Sequence, residues 1–380
     1  MIRRTGLGLF VAAAAAAAQP PADPPRVLDP ATVAAYQAVG GRPGLMSLAG
    51  EYPLNVRSQN DVKAGLPAFV FGKLPDAPLP PVAGPFGLNF LVPDKPADAA
   101  LAHLKGLDTL AALSLKETHT TDAGLAHLAG LKGLTHLSLA STRVRGPGVV
   151  HLAGLTKLQF LELRYTGVDD AAVAHLAGLK ALTHLDLINT RVGGAGLKSL
   201  TGLTELTTLR VGQSDVRDAD VVHLRAFPKL AVLNMNSVRV GAEGLAHLKG
   251  LTQLTRLDVS TNFVTDAGME HVATLTGLTE LQLGTSKVTD AGLARLRPLQ
   301  ALEALDLGGT GVTDAGLKTL KEFPRLRRVQ LSFCGITDAG LDTLRGMPGL
   351  TEIDLVFVKG VTPKGVADLK AALPNCTVRQ

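Results

Sequence analysis

The sequence predicts an α/β solenoid, in which short units of one strand and one helix stack side by side. The segment LTHLSLASTRV at 134–144 recurs in closely similar form at 182, 254 and 278, always at a multiple of 24 residues. Units in this phase start at every 24th residue from Leu110 to Leu350, which gives eleven full units, and a degenerate unit starts at Phe86. A fixed period of this size is the signature of stacked units that bury one continuous core.

The two halves of each unit differ in the spacing of their apolar residues. Leu137 and Leu139 alternate with other residues, which predicts a short strand with one buried face. Leu125, Leu128 and Leu131 are spaced by three, which predicts one apolar stripe along a helix. Stacking in register would then place a parallel sheet on the concave face of a horseshoe and the helices on its convex face.

A helix start lies between the two halves, as in the segment VTDAGM at 264–269. Thr265 is placed to cap the helix, and Asp266 lies where the helix dipole favours an anion. Glycine occupies the third helical position in nine of the eleven full units, although it weakens a helix. We therefore expect a neighbouring helix or turn to approach this position too closely for a side chain.

The repeated unit, L-x-x-L-x-L-x-x-T-x-V-T-D-A-G-L-x-x-L-x-x-L, resembles the leucine-rich repeat family. The T-D-A-G-L helix start is similar to that of the ribonuclease-inhibitor-like horseshoes of the GALA and cysteine-containing subclasses. The near-identical tandem units resemble those of exported proteins from planctomycete-type bacteria. The ninth position departs from the family, because Thr or Ser mostly replaces Asn or Cys there, with Asn262 and Cys334 as exceptions. We expect the Thr hydroxyl to bond the backbone of the turn.

The chain divides into five predicted segments. Residues 1–18 have a basic start, an uncharged apolar run and a small-x-small end, which indicates a signal peptide and an exported protein. An apolar N-terminal helix packed on the domain is the alternative. Residues 19–30 form a Pro-rich linker, 31–85 an N-terminal cap with a helix near Pro30–Val39, 86–368 the repeats and 369–380 a C-terminal cap with one more strand. A separate enzymatic domain in the cap is disfavoured because that segment contains no His and no Cys.

Composition excludes several classes of function. A net charge of +5 without clustering argues against a nucleic-acid binder. The sequence contains no phosphate-binding loop, no H-E-x-x-H and no G-x-S-x-G motif, so we expect no enzyme activity and no cofactor. The apolar run of the leader is too short to span a membrane, so we expect no membrane span, and we expect a monomer. Cys334 and Cys376 lie two repeats apart, beyond disulfide reach, so we expect two free, buried thiols.

Two rows of polar residues invite a metal-site interpretation that the spacing disfavours. One helical position carries histidine in seven units: His103, His127, His151, His175, His223, His247 and His271. The helix start carries aspartate in seven: Asp122, Asp170, Asp218, Asp266, Asp290, Asp314 and Asp338. Metal sites need converging ligands, whereas these side chains would run parallel, one per repeat. We expect the aspartates to place a favourable negative charge at the start of each helix, and we expect no metal site.

The candidate contact surface lies on the concave face, on which strand alternation exposes the third, fifth and seventh positions of each unit. The most varied stretch, in the third to fifth units, combines aromatic, apolar and oppositely charged side chains, as protein interfaces do. We predict a partner-binding patch of Phe160, Glu162, Arg164, Tyr165, His184, Asp186, Ile188 and Arg210. Glu162 and Asp186 are also spaced like a glycosidase pair, but an open sheet offers no dry pocket for one.

The favoured function is therefore an exported, non-enzymatic scaffold that binds a protein or peptide on its concave sheet. A solvated sheet face without a partner is the simplest alternative. A cell-envelope glycan-binding module is another, although the absence of Trp counts against it. The resemblance alone suggests a third, an F-box-type substrate adaptor of ubiquitin ligases, which the signal peptide disfavours.

Overall fold

A computed structural model describes residues 28–48, 54, 56–57, 65–91 and 98–380. The predicted signal peptide at 1–18 lies outside the described residues, as does most of the predicted linker. The strands of the described part are β1 (Gly41–Met46), β2 (Val56–Arg57), β3 (Leu66–Phe71), β4 (Phe86–Phe90), β5 (Leu110–Ser114), β6 (His136–Ser138), β7 (Phe160–Glu162), β8 (His184–Asp186), β9 (Thr208–Arg210), β10 (Val232–Asn234), β11 (Arg256–Asp258), β12 (Glu280–Gln282), β13 (Ala304–Asp306), β14 (Arg328–Gln330), β15 (Glu352–Asp354) and β16 (Thr377–Arg379).

The opposite layer consists of short helices. The α-helices of the described part are α1 (Pro30–Ala38), α2 (Asp98–Leu101), α3 (Asp122–Leu125), α4 (Asp170–Ala174), α5 (Gly194–Ser199), α6 (Ala242–Ala246), α7 (Asp266–Val272), α8 (Asp290–Arg295), α9 (Asp314–Leu317), α10 (Asp338–Arg345) and α11 (Pro363–Ala372). Five 3-10 segments complete the layer: Ala102–Leu104, Ala126–Leu128, Pro147–Leu152, Asp218–Ala226 and Lys318–Glu322. The prediction of one α-helix per unit is thus wrong for two units, in which a 3-10 segment, the tighter helix of short pieces, takes its place.

The described strands form one 16-stranded sheet in the order β16 to β3, then β1 and β2. Every pair from β3 to β16 is parallel, and β1 pairs antiparallel with both β2 and β3. Equivalent residues of successive units stand side by side, as Leu233, Leu257 and Leu281 do. The predicted α/β solenoid is confirmed, including the additional strand β16 at the C-terminal end.

Leucine and valine fill the space between the sheet and the helices. Leu134, Leu137 and Leu139 of one unit are fully buried, and so are their counterparts throughout the array. The ninth-position hydroxyl closes the turn as expected, because Thr142 Oγ1 donates to the Leu139 carbonyl at 2.7 Å. Asn262 does more at this position, since its Nδ2 donates to the carbonyls of both Met235 and Val259 and so joins two units.

Successive helices are joined by a contact that uses the aspartate and the glycine together. Asp314 Oδ1 accepts the Thr337 backbone N–H at 2.9 Å, and Thr337 Oγ1 donates to Asp314 Oδ2 at 2.6 Å. A Cβ on Gly340 would lie 2.2 Å from Asp314 Oδ1, so only glycine leaves room for this carboxylate. The predicted close approach is confirmed, and its cause is an Asp side chain of the preceding unit. This aspartate-glycine joint recurs along the array, for example between Asp290 and Gly316.

The N-terminal region extends the sheet and adds an aromatic core. Helix α1 begins after Asp29, whose carboxylate accepts the Thr32 N–H at 2.9 Å, and this confirms the predicted helix. Tyr36 of α1 stacks on Phe69 of β3 with ring centroids 4.1 Å apart, and its hydroxyl donates to the Pro80 carbonyl. Aromatic residues are thus concentrated where the leucine repeat has not yet begun. In the described part of the chain, no helix has the length and apolar character needed to cross a bilayer.

Candidate functional site

The face of the sheet that points away from the helices, called the inner face from here on, carries two regular rows of side chains. One row contains the third positions, where His136, Phe160 and His184 are neighbours on β6, β7 and β8. The other contains the fifth positions, where Glu162, Asp186 and Arg210 are neighbours on β7, β8 and β9. The leucine between them, such as Leu161, points into the core, because alternate residues of a strand face opposite sides.

The N-terminal region folds over the first part of this face. Met46 at the end of β1 and Leu54 belong to the same buried apolar cluster as Ala68, Ala112 and Phe160. Leu48, Val56 and Leu66 pack against that cluster. We call Met46, Leu48, Leu54 and Val56 the cover. Phe160 is only 9% exposed, so the expectation that it stands exposed on the inner face is wrong.

Small residues of the sheet make room for the cover. Ala68 of β3, Gly87 of β4 and Ala112 of β5 lie side by side in the third-position row. A Cβ on Gly87 would lie 2.8 Å from Met46 Sδ, so the methionine occupies the place of the missing side chain. The packing is therefore complementary and buries an apolar patch of the inner face within the molecule.

The histidines beside Phe160 are held in the neutral form. The rings of His136 and Phe160 are stacked with centroids 6.0 Å apart, and those of Phe160 and His184 are 6.2 Å apart. Burial lowers the pKa of His136 to about 4, and a hydrogen bond to the backbone of Leu48 opposes that shift. Burial, and then the charge of Arg210, lowers the pKa of His184. These rings serve as packing surfaces at neutral pH.

The predicted acidic residues are engaged in ion pairs. Glu162 pairs with Arg164 and also accepts a hydrogen bond from Ser138 Oγ at 2.5 Å. Asp186 pairs with Arg210 Nη1 at 3.5 Å. Burial raises the pKa of Asp186, and Arg210 acts in the opposite direction. Glu162 and Asp186 do stand on adjacent strands, but each faces an arginine, which fits an ion-pair network better than an acid/base pair.

The structure brings all eight predicted contact residues together on β7, β8, β9 and the turns that follow them. Glu162 and Asp186 are as buried as Phe160, whereas Arg164, His184, Ile188 and Arg210 are half-buried. Tyr165 is the one member with a large exposed area, at 47%. It has a left-handed backbone with φ 56° and stands on the rim of the sheet rather than on its floor.

The inner face opens beyond β8. From β9 to β15 most third- and fifth-position side chains are half-buried, whereas most of those on β5 to β8 are buried. A shallow hollow lies between β12 and β13, lined by residues 280–282 and 304–306. Burial raises the pKa of Asp306 to about 6, and Asp258 and Asp354 on either side add to the shift.

An aromatic pair at the C-terminal end was missed by the sequence reasoning. Phe333 and Phe357 are 64% and 67% exposed, and their rings stack with centroids 4.9 Å apart. Both occupy the eighth position of their units, which is left-handed in every full unit. That position holds a polar residue or glycine in all other full units except the one with Tyr165, so the two Phe are a signal that the sequence alone could have shown.

The aspartate row and the two cysteines have structural explanations in the described residues. In the described residues no group of His, Cys, Asp and Glu could hold a metal ion. The aspartate row makes joints between units, as at Asp122, which accepts the Gly146 and Gly148 N–H groups at 3.0 and 2.8 Å. Both cysteines are free, as predicted. Cys334 is buried, but Cys376 is half-buried, so the expectation of two buried thiols is wrong for the second.

Comparison with known proteins identifies the repeat. A family model described as a leucine-rich repeat region matches residues 94–364. None of the curated proteins shows significant sequence similarity to the chain.

Solved structures share the fold at low sequence identity. An internalin (inlF) from Listeria monocytogenes superposes with a TM-score of 0.57 and 19% identity, covering 80% of this chain and 90% of its own. A leucine-rich-repeat protein of Leptospira interrogans gives 0.56 and 18%, covering 77% and 76%. A TDR receptor gives 0.53 and 17%, covering 75% and 49%. With its 24-residue units, parallel sheet and matching family model, this chain belongs to the leucine-rich repeat family.

Proposed function

We propose that this protein is a non-enzymatic interaction scaffold that binds a protein or peptide partner on the open part of its inner face, from β9 to β15. The observation that carries the proposal is the contrast between the two parts of that face. The cover fills the inner face up to Phe160, whereas beyond β8 most of the polar side chains are only half-buried. A rigid, curved sheet with projecting side chains is the surface that stacked repeats offer to partners.

The predicted patch contributes to this surface at its border. Tyr165, Ile188 and Arg210 lie where the covered part ends, and they remain proposed contact residues together with Arg164 and His184. Phe160, Glu162 and Asp186 are buried and paired, so they would support the surface from below. Aromatic and arginine side chains at the edge of an open polar sheet fit an interface rim.

We further propose that the protein is exported and belongs to the ribonuclease-inhibitor-like subclass. Residues 1–18 support export by their basic start, apolar run and alanine-rich end. The T-D-A-G-L motif and the helical outer layer support the subclass, and the near-identical units support a planctomycete-type source. Mass spectrometry of the protein from culture medium and envelope should find a chain that begins near Gln19, and an intact Met1 in the mature protein would contradict export.

Site-directed photo-crosslinking tests the binding face. A photoreactive residue at Asn236, half-exposed at a seventh position of the inner face, should crosslink to a protein in envelope extracts. The same residue at Ala126, exposed on the outer layer, is the matched control. We expect a band at Asn236 that excess unlabelled wild-type protein removes, and no such band at Ala126. Equal crosslinking from both positions, or none from Asn236, would contradict the proposal.

A further inference from the structure

The strongest unexplained feature of the molecule is the pair Phe333 and Phe357. Two exposed rings stacked on each other add little to folding, because most of their apolar area remains in water. Their backbone is left-handed, with φ 60° at both, a conformation that bulky residues seldom adopt. Serine, threonine or asparagine fills the equivalent position in other units, such as Ser141, Thr261 and Asn189. The fold therefore does not require aromatic rings here, and exposed apolar patches of this kind mark interaction surfaces.

Three glycines lie in the two turns beside the first ring, namely Gly309, Gly311 and Gly335. Gly309 is the residue equivalent to Phe333 in the preceding unit, and its N–H donates to the Ser332 carbonyl at 2.7 Å, which places the two turns side by side. Gly311 and Gly335 follow in the same two turns, and a Cβ on Gly335 would meet nothing within 4 Å. The ring of Phe333 thus stands next to a glycine-lined step in which an inserted apolar side chain would contact it.

A carboxylate without a side-chain partner lies next to this step. Asp306 ends β13 and accepts one hydrogen bond in the described structure, from the Gly308 N–H at 2.8 Å. Other carboxylates of the same row are paired: Asp186 with Arg210, Asp258 with Asn234 and Ser260, and Asp354 with Ser332. Gly284, in the turn that follows β12, has no side chain to cover Asp306, since a Cβ there would lie 3.1 Å from its Oδ2. The carboxylate is open to a cation that enters from the inner face.

The charges of the open inner face indicate which charge its partner carries. At the third and fifth positions from β9 to β15 three arginines stand against five acidic residues, namely Arg210, Arg256 and Arg328 against Asp258, Glu280, Asp306, Glu352 and Asp354. The whole chain carries a net charge of +5, so the open inner face is an acidic region of a basic protein. A basic partner is attracted to this region and repelled by most of the remaining surface.

Building on the proposed function, we propose that the C-terminal end of the inner face is its specificity site and binds a peptide segment that carries a basic side chain next to an apolar one. The basic group pairs with Asp306 in the hollow between β12 and β13. The apolar group packs on Phe333 and Phe357 over the glycine-lined step. One short peptide segment can contact both, because Asp306 and the aromatic pair lie close to neighbouring turns of the array.

Three labelled peptides and four full-chain variants test this proposal. The peptides are 12-mers that alternate Lys with Leu, Lys with Ser, and Glu with Leu, and binding is measured by fluorescence anisotropy at several salt concentrations. The variants are Phe333→Ser/Phe357→Ser, which gives both positions the serine that Ser141 has at the equivalent position, the nearly isosteric Asp306→Asn, and two controls, Phe263→Ser and, on the outer layer, Val150→Ser. Phe263 is a matched control because it is 65% exposed but lies away from the aromatic pair.

We expect the Lys-Leu peptide to bind at least about ten-fold more tightly than either of the others. The double Phe variant should lose about ten-fold or more for the Lys-Leu peptide and little for the Lys-Ser peptide. Asp306→Asn should weaken both lysine peptides and reduce the salt dependence of binding. Both control variants should stay within about two-fold of wild type.

Several results would overturn the proposal. Equal affinity for all three peptides, or an equal loss from Phe263→Ser, would indicate adsorption to apolar surface in general. Dimers in sedimentation that the double Phe variant abolishes would assign the rings to a second copy of this chain, and binding of a glycan array through the rings would assign them to carbohydrate. The crosslinking at Asn236 is independent of peptide chemistry, so a partner captured there with no Lys-Leu preference would remove this inference and leave the proposed function standing.

Discussion

The two parts of the inner face are built from the same repeat, but one part is covered by N-terminal residues and the other is open. Up to Phe160 the third-position row is small or aromatic and is covered by Met46, Leu48 and Leu54. Beyond β8 the same row carries Arg256, Glu280, Arg328 and Glu352, and nothing in the described chain covers it. The repeat determines where a side chain points, whereas the side chain that occupies the position determines whether the chain folds back upon it.

Truncating one aromatic residue in each part should give the largest contrast in stability. Phe160→Ala removes a ring packed under the cover, and we expect a loss of about 3 kcal/mol in the free energy of unfolding, from lost burial and the cavity left behind. Phe333→Ala removes an exposed ring and should change stability by less than about 0.5 kcal/mol. Urea denaturation followed by circular dichroism measures both, and similar losses would erase the distinction between the two parts.

The two parts should also respond to pH with opposite signs. The folded pKa of His136 is about 4, below its ordinary 6.5, so the unfolded chain binds more protons in that window and stability falls as the pH drops through it. The loss should reach about 2 kcal/mol between pH 6.5 and pH 4. The folded pKa of Asp306 is about 6, above its ordinary 3.8. Its contribution to the free energy of unfolding is therefore present at low pH and is lost as the pH rises from 3.8 to 6.

Matched variants separate these two contributions in denaturation curves at several pH values. His136→Gln should flatten the acid-side loss, and Asp306→Asn should make the remaining loss steeper, because the opposing contribution of Asp306 disappears. A His136→Gln protein that keeps the full wild-type acid dependence would show that the covered part does not hold this histidine neutral.

The joints between helices should be equally sensitive in both parts. A Cβ on Gly124 or on Gly316 would lie 2.3 or 2.1 Å from the carboxylate of the preceding unit. We expect Gly124→Ala and Gly316→Ala each to cost about 1–2 kcal/mol, because the carboxylate must move away from its backbone donors. Gly178→Ala is the control, since no atom lies within 4 Å of its added Cβ. A large difference between the first two variants would mean that the two parts differ on the helical side as well.

The sequence predicts the array well because its information is local and repeated. Leucine spacing places every strand and outer segment, the ninth-position threonines close the turns, and the recurrent glycine correctly indicates a close approach. The aspartate was expected to act on its own helix, whereas Asp290 and its equivalents reach the next unit. That contact joins residues 23 apart, and helix-start chemistry alone does not reveal it.

The candidate site was harder to predict because the cover is a non-local contact. Position in the repeat shows that Phe160 faces inward, but it does not show that residues before the array return to lie on it. Gly87 and Ala112, small where later units are large, are the trace of that contact in the sequence. Phe333 and Phe357 lie just beyond the strands, where the alternation that shows which side chains face inward has ended.

The aspartate-glycine joint has a consequence for how such a chain changes in length over evolution. From the unit that begins at Leu254, each unit offers a carboxylate to the following unit in the same form, through Asp266, Asp290, Asp314 and Asp338. The last joint, from Asp338 to Thr362, spans one residue more than the joint from Asp314 to Thr337 and keeps the same two hydrogen bonds. Duplication or deletion of a whole unit in this part of the array therefore leaves the remaining junctions intact, and the gene can lengthen the open face while every joint keeps its hydrogen bonds.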